Sequence, residues 1–202
     1  MKKRTKSRGA SIPKSLRQQS TSYSTPTIIR RARDYPLVEC WISADWQQDR
    51  LGLVEIIVAR LQPDDNICFG VYLVDKFCLG LKNTFARAKF SPARYQYEAQ
   101  RIFGDRQAVK CSPELAYQMI YASIDYAAQF GFTPNKDFDL SQYMLAPRGE
   151  FSESYNLKFG KDGKPLFIAG PDDNAAAIVK QLEKTAGPDN YNYMVIAPPD
   201  MF

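Results

Sequence analysis

The sequence predicts an α+β fold in which an antiparallel sheet built from two β-hairpins packs against two or three helices. Three observations support this class: two long β-prone runs flank a turn-forming segment, a well-capped helical pattern follows them, and 45% of the 202 residues are hydrophobic. A basic stretch, residues 1–34, is predicted to be a disordered arm that precedes a single α+β domain of residues 35–202. A domain of that size is common.

The predicted arm carries the positive charge of the chain. Ten of its 34 residues are Lys or Arg and one, Asp34, is acidic, so its net charge is +9, whereas residues 35–202 have 17 basic and 21 acidic side chains. Few large apolar residues and no periodicity predict disorder. Such an arm can contact nucleic acid or an anionic membrane surface, act as a transit peptide, or have no partner. The candidate nucleic-acid-binding residues are Lys2, Lys3, Arg4, Lys6, Arg8, Lys14, Arg17, Arg30, Arg31 and Arg33.

Ordered structure is expected to begin near Tyr35, with a short strand over residues 37–42. The polar stretch after this strand contains Asp45 and Asp49, which lie one helical turn apart if the stretch is helical. Like charges at this spacing are typical of a solvated helix face. We favour that interpretation over a metal-binding pair.

The clearest local pattern is a β-hairpin. Residues 53–61 and 67–75 are rich in β-branched and aromatic side chains, and residues 62–66 between them contain Pro, Asp and Asn, which favour a tight turn. The second strand is apolar almost throughout, which predicts a central position with both faces covered. Glu55 and Arg60 are expected on the exposed side of the first strand.

Aromatic and basic residues are interleaved between residues 82 and 110. One interpretation is a surface on which bases stack and phosphates are neutralised. The other is an amphipathic helix whose aromatic side chains enter the core. We favour the helix because Tyr95, Ile102 and Phe103 share one helix face.

The best-defined helix begins after Ser112, a good N-cap residue, with Pro113 at its first position and Glu114 where the helix dipole favours an acid. Apolar residues on both of its faces predict burial against the sheet. Gly131 is expected to end it with a left-handed cap. Residues 133–146 are expected to form a shorter helix or an ordered loop.

The C-terminal region contains a second hairpin signal. Residues 155–159 and 165–169 are β-prone and flank residues 160–164, whose Asp-Gly pair favours a hairpin turn. A further helix is predicted between residues 172 and 187, and residues 191–196 can add an edge strand.

The composition excludes several kinds of chemistry. The chain has no histidine, which rules out Ser-His-Asp and Cys-His catalysis and every metal site that contains histidine. No Cys-x-x-Cys pair occurs among Cys40, Cys68, Cys78 and Cys111, so neither a disulfide framework nor a four-thiolate zinc site is expected. We expect no cofactor and no metal. No apolar run is long enough for a membrane span or a secretory signal, and a cytoplasmic location is expected.

Two segments have the letters of known motifs without the required spacing. Residues 160–164 contain the glycines and the lysine of a phosphate-binding loop, but Pro165 and a strand follow where such a loop opens a helix. Asp64, Asp75 and Lys76 share residue types with metal-dependent nucleases of the PD-(D/E)xK kind. Because Asp75 is adjacent to Lys76, strand alternation directs the two side chains to opposite faces, so we reject this assignment.

Asp75, Cys78 and Lys82 are the candidate catalytic residues. They follow a strand that is predicted to be buried, and pockets near such strand ends often hold functional groups. In the enzyme hypothesis, Asp75 or Lys82 activates Cys78 as a nucleophile. In the structural interpretation, which we favour, Asp75 caps the turn, Cys78 packs in the core and Lys82 is solvated.

Two motifs resemble segments found in a group of bacterial proteins that have no assigned activity. They are Gly70-Val71-Tyr72-Leu73-Val74-Asp75-Lys76-Phe77-Cys78-Leu79-Gly80-Leu81-Lys82, and Phe159-Gly160-Lys161-Asp162-Gly163-Lys164-Pro165 with Ala169-Gly170-Pro171-Asp172-Asp173-Asn174. The resemblance implies a single bacterial-type domain over most of residues 37–196 and no particular activity. It does not include the basic arm.

These observations lead to three functional hypotheses. In the first, a non-enzymatic accessory protein contacts RNA, DNA or a ribonucleoprotein through the basic arm. In the second, a small enzyme uses the cluster of Asp75, Cys78 and Lys82. The third is a protein-interaction adaptor, which a large exposed apolar patch would indicate. The charge distribution favours the first hypothesis, and no membrane insertion is expected.

Overall fold

A computed structural model of the protein describes residues 23–48, 50–149 and 151–195. Its central feature is a five-stranded antiparallel sheet with the strand order β4-β3-β2-β1-β5. The strands are β1 (Leu37–Ser43), β2 (Leu53–Leu61), β3 (Ile67–Asp75), β4 (Gly80–Phe90) and β5 (Ala108–Cys111). The helices are α1 (Thr25–Arg30), α2 (Pro92–Phe103), α3 (Pro113–Ala128), α4 (Phe138–Ser141) and α5 (Ala175–Thr185), and short 3-10 helices cover Ala32–Asp34 and Gln142–Met144.

The α+β class and the antiparallel sheet expected from the sequence are confirmed. β2 and β3 form the predicted hairpin, whose register runs from Leu53 opposite Asp75 to Leu61 opposite Ile67. Asp65 in the turn has a φ angle of 63°, a left-handed conformation that Asp tolerates better than most residues do. β3 lies between β2 and β4, and eight of its nine residues are buried, as its apolar sequence predicts.

α3 covers one face of the sheet. The Ser112 hydroxyl accepts a hydrogen bond from the backbone N–H of Leu115 at 3.1 Å, and Pro113 lies in the first turn, so the predicted N-cap is confirmed. Nine of the 16 helix residues are buried. Six of these nine pack in the same cluster as the sheet residues Ile56 and Tyr72, which is why this helix is rich in apolar residues.

α2 covers part of the other face. Tyr95 and Phe103 are buried, and the ring centroid of Tyr95 lies 5.3 Å from that of Phe69 on β3. The interpretation that the aromatic residues of this segment enter the core is therefore confirmed for these two residues. Tyr97, in contrast, is 61% exposed.

Regular structure begins earlier than the sequence predicts. α1 lies within residues 1–34, which were expected to be disordered. Two of its residues, Ile28 and Ile29, are fully buried. The Ser24 hydroxyl accepts a hydrogen bond from the backbone N–H of Thr27, which caps the helix. A single pair of apolar residues shows no periodicity in the sequence, but burial of both side chains in the main core stabilises this turn and a half of helix.

The predicted pairing of residues 155–159 with residues 165–169 in a second hairpin is wrong. Residues 155–159 form no strand, and the Asp162-Gly163 turn is closed by one bridge between Lys161 and Lys164. The strand β6 (Leu166–Ala169) pairs in parallel with β7 (Asn192–Val195), and α5 connects the two. Asp162 and Gly163 have the left-handed conformation that an Asp-Gly hairpin turn needs. The turn itself was therefore predicted correctly. A distant strand, however, pairs with β6.

The C-terminal segment is held against the start of β4. Lys82 Nζ lies 2.6 Å from Asp173 Oδ2, which joins the loop before α5 to β4. Cys78, Phe167 and Leu182 form a separate apolar cluster beneath this contact. Asp45, proposed above as one of two charges on a helix face, lies in a turn, and Asp49 is outside the described residues. None of the helices in the described ranges has the length and apolar character needed to cross a lipid bilayer.

Candidate nucleic-acid interface

The basic residues predicted to bind nucleic acid fall into two groups. Lys2, Lys3, Arg4, Lys6, Arg8, Lys14 and Arg17 lie outside the described residues. Arg30, Arg31 and Arg33 lie at the end of α1 and in the 3-10 helix that follows it. α1 is anchored in the core and contacts β4 and α4.

Arg33 has a structural role. Its Nε donates a hydrogen bond to the carbonyl oxygen of Leu145 at 2.9 Å, and its Nη2 donates to that of Gln142 at 3.2 Å. The guanidinium group also lies over the Tyr143 ring, 5.1 Å from its centroid. Arg33 thus ties the N-terminal segment to the Gln142–Met144 helix. Of the remaining two, Arg31 lies over the ring of Tyr23, and Arg30 is exposed.

A second basic region lies within the fold. Residues 85–111, which comprise the second half of β4, α2 and β5, contain six Lys or Arg and two acidic residues, a net charge of +4. The remainder of residues 35–202 contains 11 basic and 19 acidic residues, a net charge of −8. We call residues 85–111, together with the part of β1 that β5 pairs with, the basic α2 face.

Cations of the basic α2 face lie over aromatic rings. The distances from cation to ring centroid are 5.1 Å for Arg87 and Phe85, 4.2 Å for Arg94 and Phe90, 5.9 Å for Arg101 and Tyr97, and 5.2 Å for Lys110 and Trp41. Cation–π contacts hold these long basic side chains in place. Arg101 is also paired with Glu98 and Lys110 with Glu39, whereas Arg87 and Arg94 are exposed.

A groove of about 530 Å³ separates α2 from β1 and β5. Its apolar wall includes Trp41, Tyr95 and Phe103, and its polar rim includes Gln96, Gln100 and Lys110. Aromatic rings, amide groups and cations in one groove are the residue types that stack bases and bind their edges and phosphates in single-stranded nucleic acids.

Glu39 lines this groove and is held by three donors. The Tyr95 hydroxyl donates a hydrogen bond to its Oε1 at 3.0 Å, and Lys110 Nζ lies 2.9 Å from its Oε2. Burial by itself raises the pKa of Glu39, but hydrogen bonds from Trp41, Lys110 and Tyr95 outweigh this and lower the pKa below its usual value. Glu39 is therefore a carboxylate at neutral pH and positions Lys110 and Trp41.

Asp75, the first of the three candidate catalytic residues, caps a turn. Its Oδ1 accepts hydrogen bonds from the backbone N–H groups of Phe77 and Cys78 at 2.9 and 3.0 Å, and its Oδ2 accepts one from Leu79 at 3.2 Å. Burial raises the pKa of Asp75, although these three hydrogen bonds and the charge of Lys82 oppose the shift. The Asp75 side chain therefore stabilises the turn that connects β3 to β4.

Cys78 and Lys82 do not form a reactive pair. The Cys78 side chain is fully buried beside Phe167 and Leu182, and burial raises the pKa of its thiol, with Asp75 adding to the increase. An unreactive thiol is the consequence, since the thiolate is the nucleophile. Lys82 is bound to Asp173 and not to Cys78. The geometry thus matches the structural interpretation for Asp75 and Cys78, while Lys82 is ion-paired instead of solvated.

Comparison with protein-family models, with curated proteins and with solved structures finds no match to this chain. The two short motifs noted above therefore bring no family assignment. Within the described residues, no three His, Cys, Asp or Glu side chains converge as ligands of a metal ion.

The interleaved aromatic and basic residues between 82 and 110 were interpreted above as either a nucleic-acid surface or an amphipathic helix, but the total charge of residues 35–202 conceals the positive charge of this region. A window of residues 85–111 reveals the excess of Lys and Arg. The groove itself has no sequence signal, because Glu39 and Trp41 on β1 meet Lys110 on β5 only through strand pairing.

Proposed function

We propose that this protein is a non-enzymatic accessory protein that contacts nucleic acid, either free or in a ribonucleoprotein, through its basic N-terminal segment. The observation that carries the proposal is the charge asymmetry: residues 1–34 have a net charge of +9, and residues 35–202 a net charge of −4. A segment rich in Lys and Arg neutralises phosphates and releases counterions, which gives affinity with little dependence on sequence.

The basic α2 face supports the proposal as a second contact surface. Four of its six cations lie over aromatic rings, and the remainder of residues 35–202 has a net charge of −8. Acidic surfaces repel a polyanion, so they restrict the orientations in which it can bind. We expect a single strand to be preferred over a duplex, because Trp41 and Tyr97 can stack on bases that are not already paired.

The test is a comparison of the full chain with a variant lacking residues 2–22. The deletion stops at residue 22 because Ile28 and Ile29 belong to the core, and a longer deletion would unfold the protein instead of testing its binding. It removes seven Lys or Arg. Binding of a fluorescent 20-nucleotide single strand is measured by anisotropy over a range of salt concentrations.

We expect the deletion to weaken binding and to make the slope of log K against log salt shallower, by up to about five for a single strand. A matched pair of variants addresses the basic α2 face: Arg94→Gln with Arg101→Gln on α2, and Lys180→Gln with Lys184→Gln on α5. All four side chains are exposed. The α2 pair should weaken binding several-fold, and the α5 pair should leave it unchanged.

Equal affinity of the full chain and of the truncated protein would refute the proposal for the N-terminal segment. Loss of binding in the α5 pair as large as in the α2 pair would show that only total charge matters. Absence of binding by the full chain at low salt would refute both parts.

The adaptor hypothesis remains a second candidate because one observation favours it. Tyr193, Met194 and Val195 are consecutive residues of β7 and are 46%, 50% and 58% exposed. Exposed apolar side chains on a strand are typical of interaction surfaces. Size-exclusion chromatography of the protein isolated from lysate, with and without nuclease treatment, distinguishes the adaptor from the nucleic-acid hypothesis. A complex whose elution volume is unchanged by nuclease favours the adaptor.

A further inference from the structure

Cys40 and Cys111 are direct neighbours across two antiparallel strands. The register of β1 and β5 places Cys40 opposite Cys111. Residues that lie opposite each other in an antiparallel pair point to the same side of the sheet, and their Cα atoms are roughly 4.5–5.5 Å apart. Disulfide bonds span Cα separations of about 4.4–6.8 Å. The register therefore places the two thiols on the same face of the sheet, at a Cα separation that a disulfide bond can span.

The other two cysteines have no such neighbour. Cys68 lies on β3, which β2 separates from β1, so it is about 10 Å from the β1 strand. Cys78 lies in the turn after β3 and packs against Phe167. Cys40 is 2% exposed, whereas Cys111 is half-buried at the edge of the sheet. Cys111 is thus the thiol that a reagent in solution reaches first.

We infer that Cys40 and Cys111 are an oxidative modification site, at which a small-molecule disulfide such as oxidised glutathione introduces a cross-strand disulfide bond. The Cys111 thiolate attacks one sulfur of the oxidant, so a mixed disulfide forms and one glutathione leaves. The Cys40 thiolate then attacks the Cys111 sulfur, which forms the cross-strand bond and releases the second glutathione. The protein thiols lose two electrons, the oxidant gains them, and the two thiol protons end on the released glutathiones.

The bond would fix the strand that carries one wall of the groove. β5 has four residues, lies at the edge of the sheet and pairs with β1. Trp41 and Lys110 occupy the next register position and point to the opposite face. A bond between Cys40 and Cys111 would therefore lie directly behind the Trp41–Lys110 pair and hold β5 in place. The inference does not depend on the proposed function.

The reaction is expected to be slow at neutral pH. Burial raises the pKa of Cys111 to about 11, and burial together with the proximity of Cys111 raises the pKa of Cys40 to about 12. Because the thiolate is the attacking species, the rate should increase about tenfold for each pH unit up to the pKa of Cys111. This dependence distinguishes the site from an activated redox-sensing cysteine.

The experiment uses the native full chain, incubated with oxidised glutathione at pH 7, 8 and 9. Free thiols are then alkylated, and the protein is digested and analysed by mass spectrometry without reduction. We expect one linked pair of peptides, which contain Cys40 and Cys111 and are together two hydrogens lighter than the free peptides. The oxidised protein should melt at a higher temperature, and a reducing agent should reverse the change.

Two variants serve as controls. Cys111→Ala should abolish both the linked peptide and the shift in melting temperature, whereas Cys68→Ala should retain both. A mixed disulfide that persists at Cys111 while Cys40 is still alkylated would overturn the inference. Linked peptides that form only in denaturant, or only between two chains, would overturn it as well.

Discussion

At the scale of single residues, the buried arginine of β2 is the clearest departure from the sequence prediction. Arg60 was expected on the exposed side of its strand together with Glu55, yet it is 7% exposed. The two positions differ by five residues, so strand alternation directs their side chains to opposite faces. Arg60 points into the core beneath α3.

The Arg60 guanidinium connects three parts of the chain. Its Nε donates a hydrogen bond to the carbonyl oxygen of Met144 at 2.8 Å, its Nη1 to that of Tyr35 at 2.9 Å, and its Nη2 to the hydroxyl of Tyr117 at 3.2 Å. These bonds link the N-terminal segment, the 3-10 helix Gln142–Met144 and α3 to the sheet. A buried guanidinium requires such acceptors, because desolvation of an unpartnered charge is very unfavourable.

Replacement of Arg60 by methionine should therefore destabilise the protein strongly. Methionine fills much of the same volume but leaves three buried acceptors without donors, and we expect the free energy of unfolding to fall by about 3 kcal/mol. Urea denaturation measures this change. Arg30→Met, at an exposed site on α1, is the control and should change stability by less than about 0.5 kcal/mol. An equal effect of the two substitutions would contradict the role assigned to Arg60.

Glu39 predicts a specific pH dependence of stability. The pKa of this carboxyl is lower in the folded than in the unfolded protein, because hydrogen bonds from Trp41, Lys110 and Tyr95 outweigh the effect of burial. Its ionised form therefore contributes stability above the unfolded pKa of about 4.3, and that contribution is lost as pH falls through the folded pKa. Melting temperatures of the wild type and of Glu39→Gln should converge as pH decreases from 6 to 3. A constant difference would show that the ionised form of Glu39 is not preferentially stabilised.

At the scale of secondary-structure elements, the close approach of β4 to α3 depends on one glycine. Gly80 begins β4 with a φ angle of 67°, and a Cβ atom there would lie 2.5 Å from the Ser123 carbonyl oxygen and 2.7 Å from Ala127 Cβ. Backbone atoms of a buried helix cannot move aside cheaply. The position thus requires glycine both for its conformation and for its space.

Gly163 shares the conformational requirement with Gly80 but not the requirement for space. It has a φ angle of 79°, but a Cβ atom there would meet nothing within 4 Å. Gly163→Ala should cost about 1 kcal/mol of backbone strain, whereas Gly80→Ala should cost that strain and about 2 kcal/mol more from overpacking. Chemical denaturation of both variants checks the difference. Similar losses would mean that α3 shifts easily away from β4.

The elements also show where local patterns were sufficient. Ser112, Pro113 and Glu114 predicted the start of α3 because capping involves only neighbouring residues. The hairpin of β2 and β3 was predicted for the same reason. The pairing of β6 with β7 was not, since a parallel pair requires a crossover through α5 and leaves no turn signal. α1 was missed because its stability comes from the core that Ile28 and Ile29 enter, not from its own sequence.

At the scale of the whole molecule, charge is distributed in three zones. The first 34 residues have a net charge of +9, the basic α2 face contributes +4, and the remaining residues sum to −8. A polyanion approaching such a molecule is attracted by the first two zones and repelled by the third. Within the described residues of the first zone, α1 contacts β4 and Arg33 donates a hydrogen bond to the carbonyl oxygen of Leu145.

The sequence by itself determined the fold class, the central hairpin, the N-cap of α3, the exclusion of histidine chemistry and the charge asymmetry. These properties depend on composition or on residues close together in the chain, so they can be derived without knowledge of long-range contacts. The tertiary structure decided that Asp75 caps a turn, that Cys78 is enclosed, that Arg60 is buried and that Glu39, Trp41 and Lys110 share a groove. Each of these depends on which distant strands and helices pack together, and that choice follows from the burial of apolar surface over the entire chain.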